Sequence, residues 1–177
     1  RGIWDSPWVG IKNFTFLFRS PDSWIIIRNT ILYNIVFIFL GTAFSVFIAI
    51  LLNECSRKWQ KRYQTLILIP HLLSYVVVSY IAYAFLGAEN GMINNQILRP
   101  LGLDPISFYT EDKYWPFILV FVNIWKTFGY SSIIYFASII GIDRTYYEAA
   151  EVDGASAWTQ IWSITLPLLK PVLITML

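Results

Sequence analysis

Apolar residues along this chain are gathered into long runs instead of recurring at the spacing of a water-facing helix or strand. A hydrocarbon layer about 30 Å thick takes about 20 apolar residues of helix to cross. Three runs meet that length. Residues 31–52 hold no charge, and their polar side chains, such as Asn34, Thr42 and Ser45, are mild. Residues 66–86 are also free of Asp, Glu, Lys and Arg and carry Pro70–His71 near their start. Residues 115–140 begin aromatic and contain one charge, Lys126. A fourth run begins at Pro171 and continues to Leu177. The pattern predicts an all-α, polytopic transmembrane bundle in one domain over 1–177, with spans at 31–52, 66–86, 115–140 and the start of another at 171–177. Thr30, Asn34, Gly41 and Ser45 fall near one face of the first span, which suits close helix packing.

The polar segments between the runs set an orientation. The loop 54–64 carries Arg57, Lys58, Lys61 and Arg62, the densest basic cluster in the chain. Short basic loops stay in the cytoplasm, so this loop faces inward and the first span runs from outside to inside. Residues 1–29, with Trp4, Trp8 and Trp24, then form an outer interfacial segment. Residues 87–114 are external as well, and Tyr109, Tyr114 and Trp115 read as an interfacial belt. Alternation places 141–170 inside. Its charges, Arg144 and Lys170 against Asp143, Glu148, Glu151 and Asp153, do not add to that bias.

Composition narrows the function. The chain is 56% hydrophobic and 14% charged, against about 25% charged in soluble domains. A net charge of +2 with no basic stripe between aromatics gives no case for nucleic acid. Cys55 and His71 are single, which excludes a disulfide framework, a zinc cluster or a Ser-His-Asp triad with a spare His. No catalytic residue and no metal site are assigned. Cys55 reads as a small interfacial residue, and His71 as a structural histidine or part of a gate.

The segment 141–170 is the informative one. It reads as two short amphipathic helices broken at Asp153–Gly154, where Gly permits the backbone that ends a helix. Ala149, Ala150, Ala155 and Ala157 let another surface approach, and Glu148 and Glu151 share a face open to basic groups. Pro167 and Pro171 punctuate the entry to the next span. A short exposed helix between two spans suits docking of a cytoplasmic subunit.

Those residues also carry a resemblance. Glu148-Ala149-Ala150, Asp153-Gly154-Ala155, then Ile164, Leu166-Pro167 and Pro171 resemble the EAA loop of type I importer permeases of the ATP-binding cassette superfamily. The family's usual aromatic is Ile161 here. Asn29-Thr30, Leu52-Asn53-Glu54 and Gly91-Met92-Ile93-Asn94 are similar to carbohydrate-importer permeases. Gln64 through Pro70-His71 to Val76-Val77-Val78, with Ile124-Trp125-Lys126, looks like the oligosaccharide and polysaccharide-fragment branch. The resemblance implies a multi-pass subunit of the bacterial plasma membrane, here lacking its first and last spans. Its partners would be cytoplasmic ATPase subunits, a second permease subunit and an extracytoplasmic sugar-binding protein, in a lipid bilayer. It implies coupling through Glu148, Ala149, Ala150, Asp153, Gly154, Ala155, Leu166 and Pro167. The chain has no phosphate-cradling Gly-rich loop, so ATP belongs to the partner subunits and no cofactor is assigned.

Lys126 lies mid-span, where a lone charge must face a cavity or a partner. Asn123, Thr127 and Tyr130 fall near its face. Two readings stand: a wall of the sugar pathway built from Asn123, Lys126 and Tyr130, or a lysine donating to helix carbonyls or to the partner permease. Rival functions are a permease for another solute (amino acid, peptide or glycerol phosphate) and a membrane receptor or enzyme. The last would need paired catalytic groups within the spans, where Lys126 stands alone.

Overall fold

The computed structural model describes residues 9–12, 14–15 and 20–177. Every regular element among them is helical. The chain divides into two compact units, Arg1–Val36 and Phe37–Leu177. Trp4 and Trp8 of the expected interfacial segment lie outside the described residues.

Helix α1 (Pro21–Glu54) starts ten residues before the apolar run. Pro21 opens it, where a missing N–H costs nothing, and Asp22 suits the positive end of the helix dipole. Within the first unit, the Asn34 amide donates to the Thr30 carbonyl at 2.8 Å. By length and composition, Asp22–Glu54 and Asp112–Ile140 can each cross a membrane.

The expected single span at 66–86 is two helices, α2 (Arg57–Leu72) and α3 (Tyr75–Leu86), bent by 95° at their junction. Leu73 and Ser74 are extended there, with ψ of 140° and 153°. Pro70 has no N–H to continue the helical ladder. Ser74 starts α3 by accepting the Val77 N–H at 3.3 Å. The basic cluster read as a loop is also helical: α2 begins at Arg57, and its first two turns carry Arg57, Lys58, Lys61 and Arg62.

Between α3 and α4 (Trp115–Ile140) the chain turns on Asn94, which is fully buried at the start of a π-helical turn, Asn94–Leu98. Its amide donates to the carbonyls of Gly87, Ala88 and Ile106 at 3.2, 3.1 and 2.9 Å, and its oxygen accepts the Ile106 N–H at 3.0 Å. Every polar atom of this buried side chain is satisfied. The Tyr109 ring meets Tyr83 and Trp115 edge-on, at 5.7 and 5.4 Å. Burial, and then the neighbouring Tyr83, raises the Tyr109 hydroxyl above its ordinary pKa.

After α4 come α5 (Arg144–Val152), α6 (Ala157–Gln160), a π-helical turn (Ile161–Thr165) and α7 (Leu166–Met176). The run expected to start at Pro171 is helical already from Leu166, and Pro171 sits inside α7. The core joins α1, α4 and α7 through Val46, Ala49, Leu52, Tyr135, Phe136, Ile139 and Leu169. Ser45 and Ser132 are buried and both donate to the Phe128 carbonyl, at 3.4 and 2.6 Å. Of the small-residue stripe on α1, Ser45 thus makes the contact, whereas Gly41 faces open space. Large apolar side chains such as Phe39, Phe117 and Phe121 are exposed, as a hydrocarbon solvent permits.

Candidate functional site: two breaks in the helices

The first break is the elbow between α2 and α3. Gly129 brings α4 against α2: a Cβ there would overlap the Ile67 carbonyl, so any side chain would push the helices apart. One turn earlier, the Lys126 ammonium enters the elbow, 7% exposed. It donates to the Leu73 carbonyl at 2.6 Å and the His71 carbonyl at 3.1 Å, and lies 4.7 Å from the Tyr75 ring centre. A charge at mid-membrane costs several kcal/mol when unpaired, on the order of 3. Two carbonyls freed by the end of α2 and one aromatic face offset that cost here. The His71 ring stacks on Tyr130 at 4.8 Å and 12°.

Of the three expected pathway residues, Lys126 donates into the elbow. Tyr130 is 50% exposed beside His71. Asn123 is half-buried, and its carbonyl accepts the Thr127 hydroxyl at 2.8 Å. Sequence reasoning missed Gly129 and Tyr75. The available signal for Gly129 was a glycine one turn from the only charge of its span.

The second break separates α5 from α6. Asp143 caps α5 by accepting the Thr145 N–H at 2.9 Å, and that bond holds its carboxyl below the ordinary carboxylate range. At the other end Gly154 takes φ +76°. Its N–H bonds the Glu151 carbonyl at 3.0 Å, and the Ala155 N–H reaches back to Ala150 at 2.8 Å. This paired closure is a Schellman motif, with glycine where a left-handed residue is required. Ser156 then accepts the Thr159 N–H at 3.2 Å and starts α6.

The expected coupling residues separate by exposure. Glu148, Ala149, Asp153, Gly154 and Pro167 are exposed, whereas Ala150, Ala155 and Leu166 are half-buried. Leu166 packs against the core. Val152, at 88% exposure, and Trp158, at 68%, stand out from the segment as uncovered apolar groups. Among the described residues the only ion pair is Lys113–Glu111, so Glu148, Glu151 and Asp153 have no cationic partner. A cleft of roughly 660 Å³ opens beside this face, lined by Asn53, Glu54, Arg144, Glu148, Glu151 and Gln160 among others. Behind it, the Tyr147 hydroxyl meets the buried Thr165 hydroxyl at 3.0 Å, tying α5 to the base of α7. A force on α5 therefore has a short route into the core.

Residues 13–177 match the model of a family described as the binding-protein-dependent transport system inner membrane component. The chain is 36% identical to the polygalacturonan/rhamnogalacturonan transport system permease protein YteP of Bacillus subtilis, over 99% of this chain and 55% of that protein. It thus spans about half the length of this curated relative. A crystal structure of a bacterial ABC transporter involved in the import of the acidic polysaccharide alginate superposes with a TM-score of 0.91 and 34% identity, over 98% of this chain and 60% of that one. A second, of the alginate ABC transporter in complex with an alginate pentasaccharide-bound periplasmic protein, gives 0.87 and 35% over 93% and 57%. These relatives are transport proteins by name, and the all-helical fold is that of ABC importer permeases. The chain belongs to the family of binding-protein-dependent transport system inner membrane components.

Proposed function

We propose that this chain is the membrane-embedded part of a permease subunit in an ATP-driven importer of oligosaccharides, coupled to cytoplasmic ATPases through residues 144–167. The observation that carries the reading is the Schellman-terminated helix α5. It presents unpaired Glu148 and Asp153 together with uncovered Val152, and it follows the long apolar helix α4 and leads through α6 to α7. Such a helix meets a basic, partly apolar groove by charge and by burial of Val152. Movement of that groove passes through Tyr147–Thr165 into α7 and the core.

In this reading Asn123 and Tyr130 border the sugar pathway, and Lys126 shapes it by holding the elbow. Relatives that handle polygalacturonan, rhamnogalacturonan and alginate favour a polysaccharide fragment over an amino acid, peptide or glycerol phosphate. A second permease subunit and a sugar-loaded binding protein complete the pathway. The basic cluster on α2 orients the chain with α5 and α6 in the cytoplasm.

The test is uptake into proteoliposomes holding the full-length subunit with its partner permease, ATPases and binding protein. Labelled oligosaccharides, amino acids and peptides are offered in parallel. ATP-dependent uptake of an oligosaccharide, abolished by Glu148→Lys in an assembled complex, is the expected result. Uptake confined to amino acids or peptides, or unchanged in Glu148→Lys, refutes the proposal.

A further inference from the structure

The first two turns of α2 are electrostatically unfavourable by themselves. Arg57 and Lys61, and likewise Lys58 and Arg62, are like charges one turn apart. All four are exposed and stand at the positive end of the helix dipole, with no acidic residue in the first turn. The Ser56 side chain makes no capping bond there. None of the four cations forms an ion pair, since Lys113–Glu111 is the only pair among the described residues. An anion from outside the chain would relieve this repulsion.

Two further features say which. The Trp59 ring stacks on Tyr63 at 5.9 Å, and the Arg62 guanidinium lies 5.0 Å above Trp59. Both aromatics are exposed, as expected of side chains that settle at lipid headgroup level. One turn further on, α2 changes character: Leu66, Ile69 and Leu72 are exposed and apolar. Charge, then aromatic, then hydrocarbon along one helix is the order met on entering a bilayer from the headgroup side. A protein partner would not require the apolar stretch to follow.

We propose that the first two turns of α2 are an anionic-phospholipid site. Arg57, Lys58, Lys61 and Arg62 hold headgroup phosphates, and Trp59 and Tyr63 lie among the headgroups. The lipid supplies the counter-charge that α2 lacks, and so anchors the end of the elbow opposite Lys126. This site is independent of the transported solute.

The full-length subunit in its complex is exchanged into detergent with equal phosphatidylglycerol and phosphatidylcholine, and retained lipid is measured by mass. Each cation near an anionic surface is worth on the order of fivefold in affinity. Wild type should therefore enrich phosphatidylglycerol, and the combined Arg57→Gln, Lys58→Gln, Lys61→Gln, Arg62→Gln variant should lose at least about fivefold of that enrichment. Arg57→Lys with Arg62→Lys, which keeps the charge, should retain most of it. If the fourfold variant fails to assemble, Lys58→Gln with Arg62→Gln must show a partial loss. Equal retention of both lipids by wild type, or enrichment unchanged in the glutamine variants, overturns the proposal. So does full displacement by millimolar inorganic phosphate, which would mean a free-anion site. Loss of the ATPase subunits with lipid retention unchanged would mean a protein contact instead, and would equally refute it.

Discussion

The two helix breaks are built by opposite means. The break at Asp153–Gly154 is closed by its own neighbours: a left-handed glycine, a serine cap and two backbone bonds between residues 150 and 155. The elbow at Leu73–Ser74 has weaker local devices: Pro70, which breaks the ladder, a 3.3 Å bond from the Leu73 N–H to the Pro70 carbonyl, and the Ser74 cap. The rest comes from α4, more than fifty residues away, as Lys126 reaching the free carbonyls and Gly129 letting the backbones touch. A locally closed break keeps its shape while its outer face stays free to bind. One held by a distant helix reports any movement of that helix. The first suits a docking element and the second suits a part of the wall that must shift.

The largest effect should come from separating the elbow from its support. Gly129→Val places a side chain on the Ile67 carbonyl, and overpacking of this kind costs about 1–3 kcal/mol or more. The full-length subunit should lose thermal stability in detergent and assemble poorly with its partners. An unchanged melting temperature would mean that α2 and α4 do not meet at Gly129.

Next is Lys126→Met, which keeps the length and removes the donors. The His71 and Leu73 carbonyls, part-buried, lose their donor, at a cost of about 1 kcal/mol each. A single cysteine at Leu73, with Cys55 replaced, should label several-fold faster in this variant. Unchanged labelling would show that the elbow stands without the lysine.

Much of this was open to reading from the amino-acid order, and the split follows the same comparison. Asp143, Gly154 and Ser156 act within a few residues of themselves, so the two short helices and their break could be read directly. The run 115–140 coincides with α4 because its apolar length, with the single charge Lys126, defines it. The elbow could not be read that way. Hydropathy continues across Leu73 and Ser74, and the Lys126 and Gly129 contacts that hold the bend come from more than fifty residues further along the chain. For the same reason Lys126 was visible as an anomaly, with helix carbonyls as one expected partner, while the elbow that supplies those carbonyls was not. The basic stretch at 57–62 read as a loop because charge marks the membrane boundary whether or not the backbone is helical there.

Smaller effects belong to the local break. Gly154→Ala adds about 1 kcal/mol of left-handed strain, and its Cβ meets nothing within the chain. Gly154→Asn, which tolerates that backbone better, should restore thermal stability. Both should impair uptake if the open space at Gly154 is filled by the docked ATPase, and normal uptake in Gly154→Asn would show that it is not.

The smallest effect is electrostatic. The capping bond lowers the Asp143 pKa, so its contribution to α5 is present above the ordinary carboxylate pKa and is lost as pH falls through the lowered value. Asp143→Asn keeps a capping oxygen without a charge and should flatten the acid end of the stability profile. A profile identical to wild type would remove the cap from the account.

The central claim is that α5 is the handle by which ATPase movement reaches the membrane helices. The direct measurement is crosslinking from a single cysteine at Val152, with Cys55 replaced, in the assembled full-length complex. The account predicts a specific crosslink to an ATPase subunit whose yield changes when ATP binds. An active complex that gives no such crosslink, or one indifferent to ATP, would contradict it.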